Sequence, residues 1–110
     1  MPKQKERALF LAKVPLFVGL KERQLQRLSA RFVSRSYAKG QDIVTQGKGG
    51  AGLFILVSGE AEAIRVRTDG SKVVVNTFDS TDFFGELALL DDEPRTASVV
   101  ATEETECLVL

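Results

Sequence analysis

Histidine is absent from the sequence, and there is a single cysteine, Cys107. Histidine is the usual proton shuttle at neutral pH, the commonest transition-metal ligand and the usual base that activates serine or cysteine nucleophiles. Its absence excludes those mechanisms, and with one cysteine it also excludes structural zinc. Cys107 has no partner for an internal disulfide, and its apolar surroundings predict a core residue. A binding role without metal or cofactor is therefore favoured over catalysis.

Long apolar runs are also missing. No stretch approaches the ~18 to 20 residues that span a bilayer, and the N-terminal residues lack the features of a signal peptide. The chain has 110 residues, of which 44% are hydrophobic and 27% charged, as in folded globular domains. We expect one soluble domain over residues 1–110, a cytoplasmic location and no membrane partner.

Basic residues are scarce in the second part of the chain. Residues 1–48 hold eleven Lys/Arg and three Asp/Glu, whereas residues 49–110 hold four and twelve, so the net charges are +8 and −8. A basic patch for nucleic acid or anionic lipid is one interpretation, and two offsetting surfaces of one domain is the other. The basic residues are dispersed without interleaved aromatics, so we expect no direct nucleic-acid binding.

Residues 1–32 are expected to form an N-terminal helical segment. Residues 3–13 are good helix formers, and Pro15 then interrupts them. In residues 21–32, Leu25, Leu28 and Phe32 recur at spacings of three and four, which predicts an amphipathic helix whose apolar stripe faces the core.

Residues 33–110 have the pattern of a β-domain. Short β-branched or aromatic segments alternate with turns that contain glycine or aspartate. The predicted strands cover residues 33–38, 43–45, 53–57, 61–67, 72–78, 97–101 and 107–110. Their regular spacing is typical of a jelly roll or Greek-key barrel. Residues 47–52 match the G-x-G-x-x-G dinucleotide pattern, but the apolar run of strand length that follows predicts a hairpin loop instead.

Residues 83–100 carry the most informative motif, F-F-G-E-L-A-L-L-D-D-E-P-R-T-A-S-V-V. Gly85 permits close approach of the backbone, and the residues after it suit a short helical turn with free N–H groups. Arg95 is the only basic residue among nine acidic ones in residues 73–110. Either Arg95 makes a structural salt bridge, or its planar donors hold a phosphate while Glu86 accepts a sugar hydroxyl.

The order of these residues resembles the phosphate-binding cassette of cyclic nucleotide-binding domains. Such domains occur in catabolite-activator-type bacterial regulators, regulatory subunits of cyclic AMP-dependent protein kinase and cyclic nucleotide-gated channels. The resemblance implies a mainly β fold: an eight-stranded jelly-roll barrel over residues 33–110, with the cassette and its short helix in residues 84–99.

The same resemblance implies a ligand site. Arg95 would bind the cyclic phosphate, Glu86 the ribose 2′-hydroxyl, and Thr96 the phosphate or a guanine amino group. The backbone of the remaining cassette residues would complete the site. These are Gly85, Leu87 and Ala88.

The expected function is a non-enzymatic sensor of a cyclic nucleotide, cyclic AMP before cyclic GMP. A cyclic GMP-preferring module and an interaction-only domain of the same fold are the alternatives. Family members continue into lid helices that cover the base, and this chain stops at Leu110. Either the chain is a fragment of a larger regulator or its output element has been removed. In both cases we expect a monomer whose effector domain or partner lies outside the chain.

Overall fold

The computed structural model describes residues 4–48, 52–85 and 96–110. The helical elements are α1 (Gln4–Leu11), a 3-10 helix (Pro15–Phe17) and α2 (Glu22–Ser29). The strands are β1 (Val33–Tyr37), β2 (Asp42–Val44), β3 (Phe54–Ser58), β4 (Ala61–Val66), β5 (Lys72–Phe78), β6 (Phe83–Phe84), β7 (Ser98–Ala101) and β8 (Thr105–Val109). Among the helices so described, none is long and apolar enough to cross a membrane.

The strands form two four-stranded antiparallel sheets. Their orders are β1-β8-β3-β6 and β2-β7-β4-β5. This arrangement confirms the predicted jelly-roll class. Seven strands lie where the turn pattern placed them, within a few residues at each end. The two-residue strand β6 was not predicted, and the expected short helix of the cassette lies outside the described ranges.

The helices lie against the first sheet, which is therefore covered on both faces. Consecutive residues of β3 belong to different apolar clusters: Ile55 packs with α1 and α2, and Leu56 packs between the sheets. Leu108 and Cys107 of β8 divide in the same way, and all four side chains are fully buried. A strand buried on both faces has a continuous apolar run, which explains the sequence of β3.

The predicted apolar stripe faces the core, with Leu25 and Phe32 buried and Leu28 half-buried. The helix α2 itself ends at Ser29, so Phe32 lies beyond the helix that was expected to reach it. An unexpected buried cation ties α2 to α1. The Arg7 guanidinium donates Nη1–H bonds to the carbonyls of Ser29 and Phe32, at 3.2 and 2.9 Å. Ser29 is the last residue of α2, where helix C-termini leave acceptors unpaired and favour positive charge, and Phe32 lies three residues beyond the helix.

Cys107 is a core residue, as predicted. Its side chain is fully buried, and this burial raises the pKa of the thiol to about 12. Since the thiolate is the reactive form, we expect a thiol reagent such as 5,5′-dithiobis(2-nitrobenzoate) to leave Cys107 unmodified in the folded protein at neutral pH. Modification should become rapid in denaturant. Rapid stoichiometric reaction without denaturant would contradict this burial.

The turn between β3 and β4 packs tightly against the start of β8. Gly59 has a φ of +91°, and an added Cβ there would lie 2.7 Å from the Cα of Thr105. The carbonyl of Glu60 accepts hydrogen bonds from the Thr102 N–H and the Thr105 hydroxyl, at 2.9 and 3.1 Å. The close backbone approach requires glycine at position 59.

The same turn carries a carboxyl group with a perturbed pKa. A hydrogen bond with Asp79 raises the pKa of Glu60, and repulsion from the Asp79 and Glu103 charges adds to the effect. The folded chain therefore holds this proton more tightly than the unfolded chain. The stabilisation is present below the ordinary pKa and is lost as the pH rises through the raised pKa.

Glu60→Gln should therefore raise the melting temperature relative to the parent at about pH 7, and this advantage should shrink toward about pH 4. Thermal unfolding at both pH values measures it. Asp69→Asn is the control of opposite sign, because hydrogen bonds from Ser71 lower the pKa of Asp69. That variant should be less stable than the parent near neutral pH. A Glu60→Gln protein that is less stable than the parent at pH 7 would contradict the raised pKa of Glu60.

Candidate functional site

The cassette begins at the end of β6. Phe84 is buried and stacks on Phe54, with ring centroids 5.0 Å apart, and its ring also lies 5.1 Å from that of Phe78. This aromatic contact fixes the last strand residue before the cassette. The next residue, Gly85, has a φ of +92°, a conformation that L side chains rarely adopt. The chain therefore turns sharply where the cassette begins.

The cassette leaves into β7, which belongs to the other sheet. Thr96 is exposed, Ala97 packs against the apolar cluster between the sheets, and Val99 is buried in it. The described residues on either side of the cassette therefore lead to different sheets. Phe84 and Val99 are both held there by apolar packing.

Two of the six predicted site residues, Gly85 and Thr96, lie within the described ranges, and they flank the segment. The other four, Glu86, Leu87, Ala88 and Arg95, lie outside those ranges. Their roles stay predictions.

Polar groups that the sequence analysis did not single out surround the exit of the cassette. The Arg65 Nε–H donates to the Thr96 carbonyl at 3.3 Å, and the Gln46 N–H donates to the Ser98 hydroxyl at 2.8 Å. Arg65 had one available signal, since it is one of only four basic residues in residues 49–110. No signal in the sequence pointed to Gln46, because its role depends on the register of strands that are distant in sequence.

The described element that follows the glycine-rich motif of residues 47–52 is the strand β3, as predicted, which removes the helix N-terminus that a dinucleotide site needs. The expectation of a hairpin at this loop is wrong, because β2 and β3 belong to different sheets and do not pair with each other. In the ranges that the structure covers, no group of three or more His, Cys, Asp or Glu side chains is arranged to hold a metal ion.

The sequence matches the family model of the cyclic nucleotide-binding domain over residues 34–110. The chain belongs to this family of regulatory ligand-binding domains. It is 42% identical over 92 residues to a cAMP-dependent protein kinase regulatory subunit of Aspergillus fumigatus, covering 84% of this chain and 22% of that protein. The chain thus spans less than a quarter of this curated relative.

Solved structures share the fold. The regulatory domain of Toxoplasma gondii PKA, crystallised with cAMP, superposes with a TM-score of 0.91 and 27% identity, covering 97% of this chain and 41% of that one. The regulatory subunit of a cAMP-independent protein kinase A from Trypanosoma cruzi, bound to guanosine, gives a TM-score of 0.88 and 31% identity, covering 97% and 38%. Ligands of different chemistry therefore occur among proteins of this fold.

Proposed function

We propose that this domain is a regulatory module that binds cyclic AMP and performs no catalysis. The observation that carries the proposal is the cassette motif F-G-E-L-A-L-L…P-R-T-A-S-V, whose first and last residues, Phe84 and Val99, belong to different sheets. Both end residues are buried, so packing holds the described ends of the motif. Membership of the family and similarity to kinase regulatory subunits support the same ligand class.

Each proposed contact follows from chemistry. Arg95 carries the planar donors that match a phosphate, and Glu86 accepts hydrogen bonds from the ribose 2′-hydroxyl. Backbone groups of Gly85, Leu87 and Ala88 complete the phosphate site, for which the positive φ of Gly85 is the supporting geometry. The output passes to an effector domain or partner, by analogy with the kinase regulatory subunits.

Calorimetric titration of the 110-residue chain tests the proposal. Cyclic AMP and cyclic GMP are compared with 5′-AMP, which keeps the base and sugar but lacks the cyclic ester. Guanosine, the ligand of the Trypanosoma cruzi structure, is the fourth titrant. We expect cyclic AMP to bind more tightly than 5′-AMP and guanosine. Absence of cyclic nucleotide binding would favour an interaction-only domain, and preference for guanosine would assign a nucleoside ligand instead.

Thr96 is proposed to influence the choice of base. Its hydroxyl offers one hydrogen bond, which is worth about 0.5 to 1.5 kcal/mol, so any preference it creates should be about tenfold at most. If the hydroxyl contacts guanine, Thr96→Ala should lower the affinity for cyclic GMP more than the affinity for cyclic AMP. If it contacts phosphate, the substitution should lower both affinities equally. Thr96→Ser, which keeps the hydroxyl, is the matched control. Unchanged affinities in Thr96→Ala would remove Thr96 from the site.

A further inference from the structure

The side-chain amide of Gln46 pairs with the backbone at the end of β4. Its Nε2–H donates to the carbonyl of Val66 at 3.1 Å, and its Oε1 accepts from the N–H of Val66 at 2.7 Å. A primary amide that meets both backbone groups of one residue reproduces the pairing of two strands. Gln46 therefore extends the sheet beyond β2, which ends at Val44.

Gln46 also reaches β7 through its own backbone, since its N–H donates to the Ser98 hydroxyl. Arg65, the neighbour of Val66, makes the second connection to this strand through the Thr96 carbonyl. The four contacts form a closed ring that joins the chain after β2, the end of β4 and the residues at the start of β7. We call this set, Gln46, Arg65, Val66, Thr96 and Ser98, the exit ring.

The exit ring lies where the backbone leaves the cassette. Thr96 follows Arg95 directly in the chain, so the Thr96 carbonyl is part of the described backbone next to the proposed phosphate-binding residue. Shifts of about 1 Å at a binding group are enough to weaken a directional contact substantially. Ala97 and Val99 anchor the strand by apolar packing, but Thr96 itself is exposed.

We infer that Arg65 is a positioning residue of the proposed nucleotide site: its Nε–H, held beside β7 by the Gln46 pair, fixes the Thr96 carbonyl, in the described backbone that follows the cassette. This inference rests on the proposed function and adds to it a residue outside the cassette. Arg65 acts through Thr96 and makes no contact with the ligand in this role. Loss of Arg65 should therefore lower the affinities for cyclic AMP and cyclic GMP equally.

Three variants separate the hydrogen bond from the charge. Arg65→Ala removes both. Arg65→Gln keeps an N–H donor the same number of bonds from the backbone as Nε, without the charge. Arg67→Ala removes the same charge from an exposed neighbour just beyond β4. By calorimetry, Arg65→Ala should weaken cyclic AMP and cyclic GMP about three- to tenfold, the range for one hydrogen bond. Arg65→Gln and Arg67→Ala should stay within about twofold.

Amide hydrogen exchange of residues 96–98 without ligand supplies an independent readout. Exchange there should be faster in Arg65→Ala and close to the parent rate in Arg65→Gln. The inference is overturned if Arg65→Ala changes neither exchange nor affinity, or if Arg67→Ala weakens binding as much. Equal weakening by Arg65→Gln and Arg65→Ala also overturns it, because charge would then be the cause. A parent that binds no cyclic nucleotide overturns the proposed function and this role together, even if exchange still reports the Arg65–Thr96 contact.

Discussion

Arg95→Ala is expected to abolish measurable cyclic nucleotide binding while the protein stays folded. Removing one partner of a desolvated charge pair costs about 2 to 5 kcal/mol, which weakens affinity by roughly 30-fold to several thousandfold. Arg95→Lys should fail nearly as badly, because an ammonium group cannot reproduce the two parallel hydrogen bonds of a guanidinium. Calorimetry with cyclic AMP measures the loss, and thermal unfolding shows that the fold persists.

Arg67→Ala is the matched control for this prediction, since it removes one arginine charge from the exposed chain after β4. Its affinity should remain close to that of the parent. A lysine variant at position 95 that binds as tightly as the parent would contradict the proposed phosphate contact. Equal losses in the Arg95 and Arg67 variants would assign the effect to net charge.

Gly59→Ala should cause the largest loss of stability among single substitutions in the turns. Two costs add there. A left-handed backbone conformation costs an alanine about 1 to 2 kcal/mol, and forcing its Cβ against the backbone of Glu104 and Thr105 adds about 1 to 3 kcal/mol. Because small domains are stable by only about 5 to 15 kcal/mol, much of the free energy of unfolding would be lost. Urea titration of the parent and the variant measures the difference.

Gly70→Ala separates the cost of the left-handed backbone conformation from the cost of the steric clash. Gly70 has a φ of +88°, nearly the same as Gly59, but a Cβ added there has no atom within 4 Å. This variant should lose only the conformational part, about 1 to 2 kcal/mol. If the two variants were equally destabilised, the close contact between the β3–β4 turn and β8 would have no energetic role.

Local signals were sufficient to predict most of the fold. The turns at Gly59 and Gly70 and the β-branched runs between them carry their conformational preferences in their own residues, as does the apolar stripe of α2. The strand β6 has only two residues, which are too few to show a periodic pattern. Arg7 was also unpredictable, because its burial depends on the meeting of α1 with the end of α2.

The same distinction between local and long-range signals applies to the candidate site. The cassette is contiguous in sequence, so its motif was visible, and Gly85, which was expected to permit close approach of the backbone, has a positive φ. The exit ring joins residues as far apart as Gln46 and Ser98, which become neighbours only through the pairing of β7 with β2 and β4. Hydrogen bonds that depend on the register of distant strands leave no local pattern in a single sequence.

The position of β8 has a consequence for synthesis. This strand pairs with β1 on one side and β3 on the other, yet it is translated after the seven other described strands. On the ribosome, β1 and β3 emerge before the strand that joins them, so the apolar cluster under the helices lacks Leu108 until β8 has been made. The helix-bearing sheet can therefore be complete only after residue 109 has left the exit tunnel. Until then the nascent module presents apolar surface that chaperones recognise.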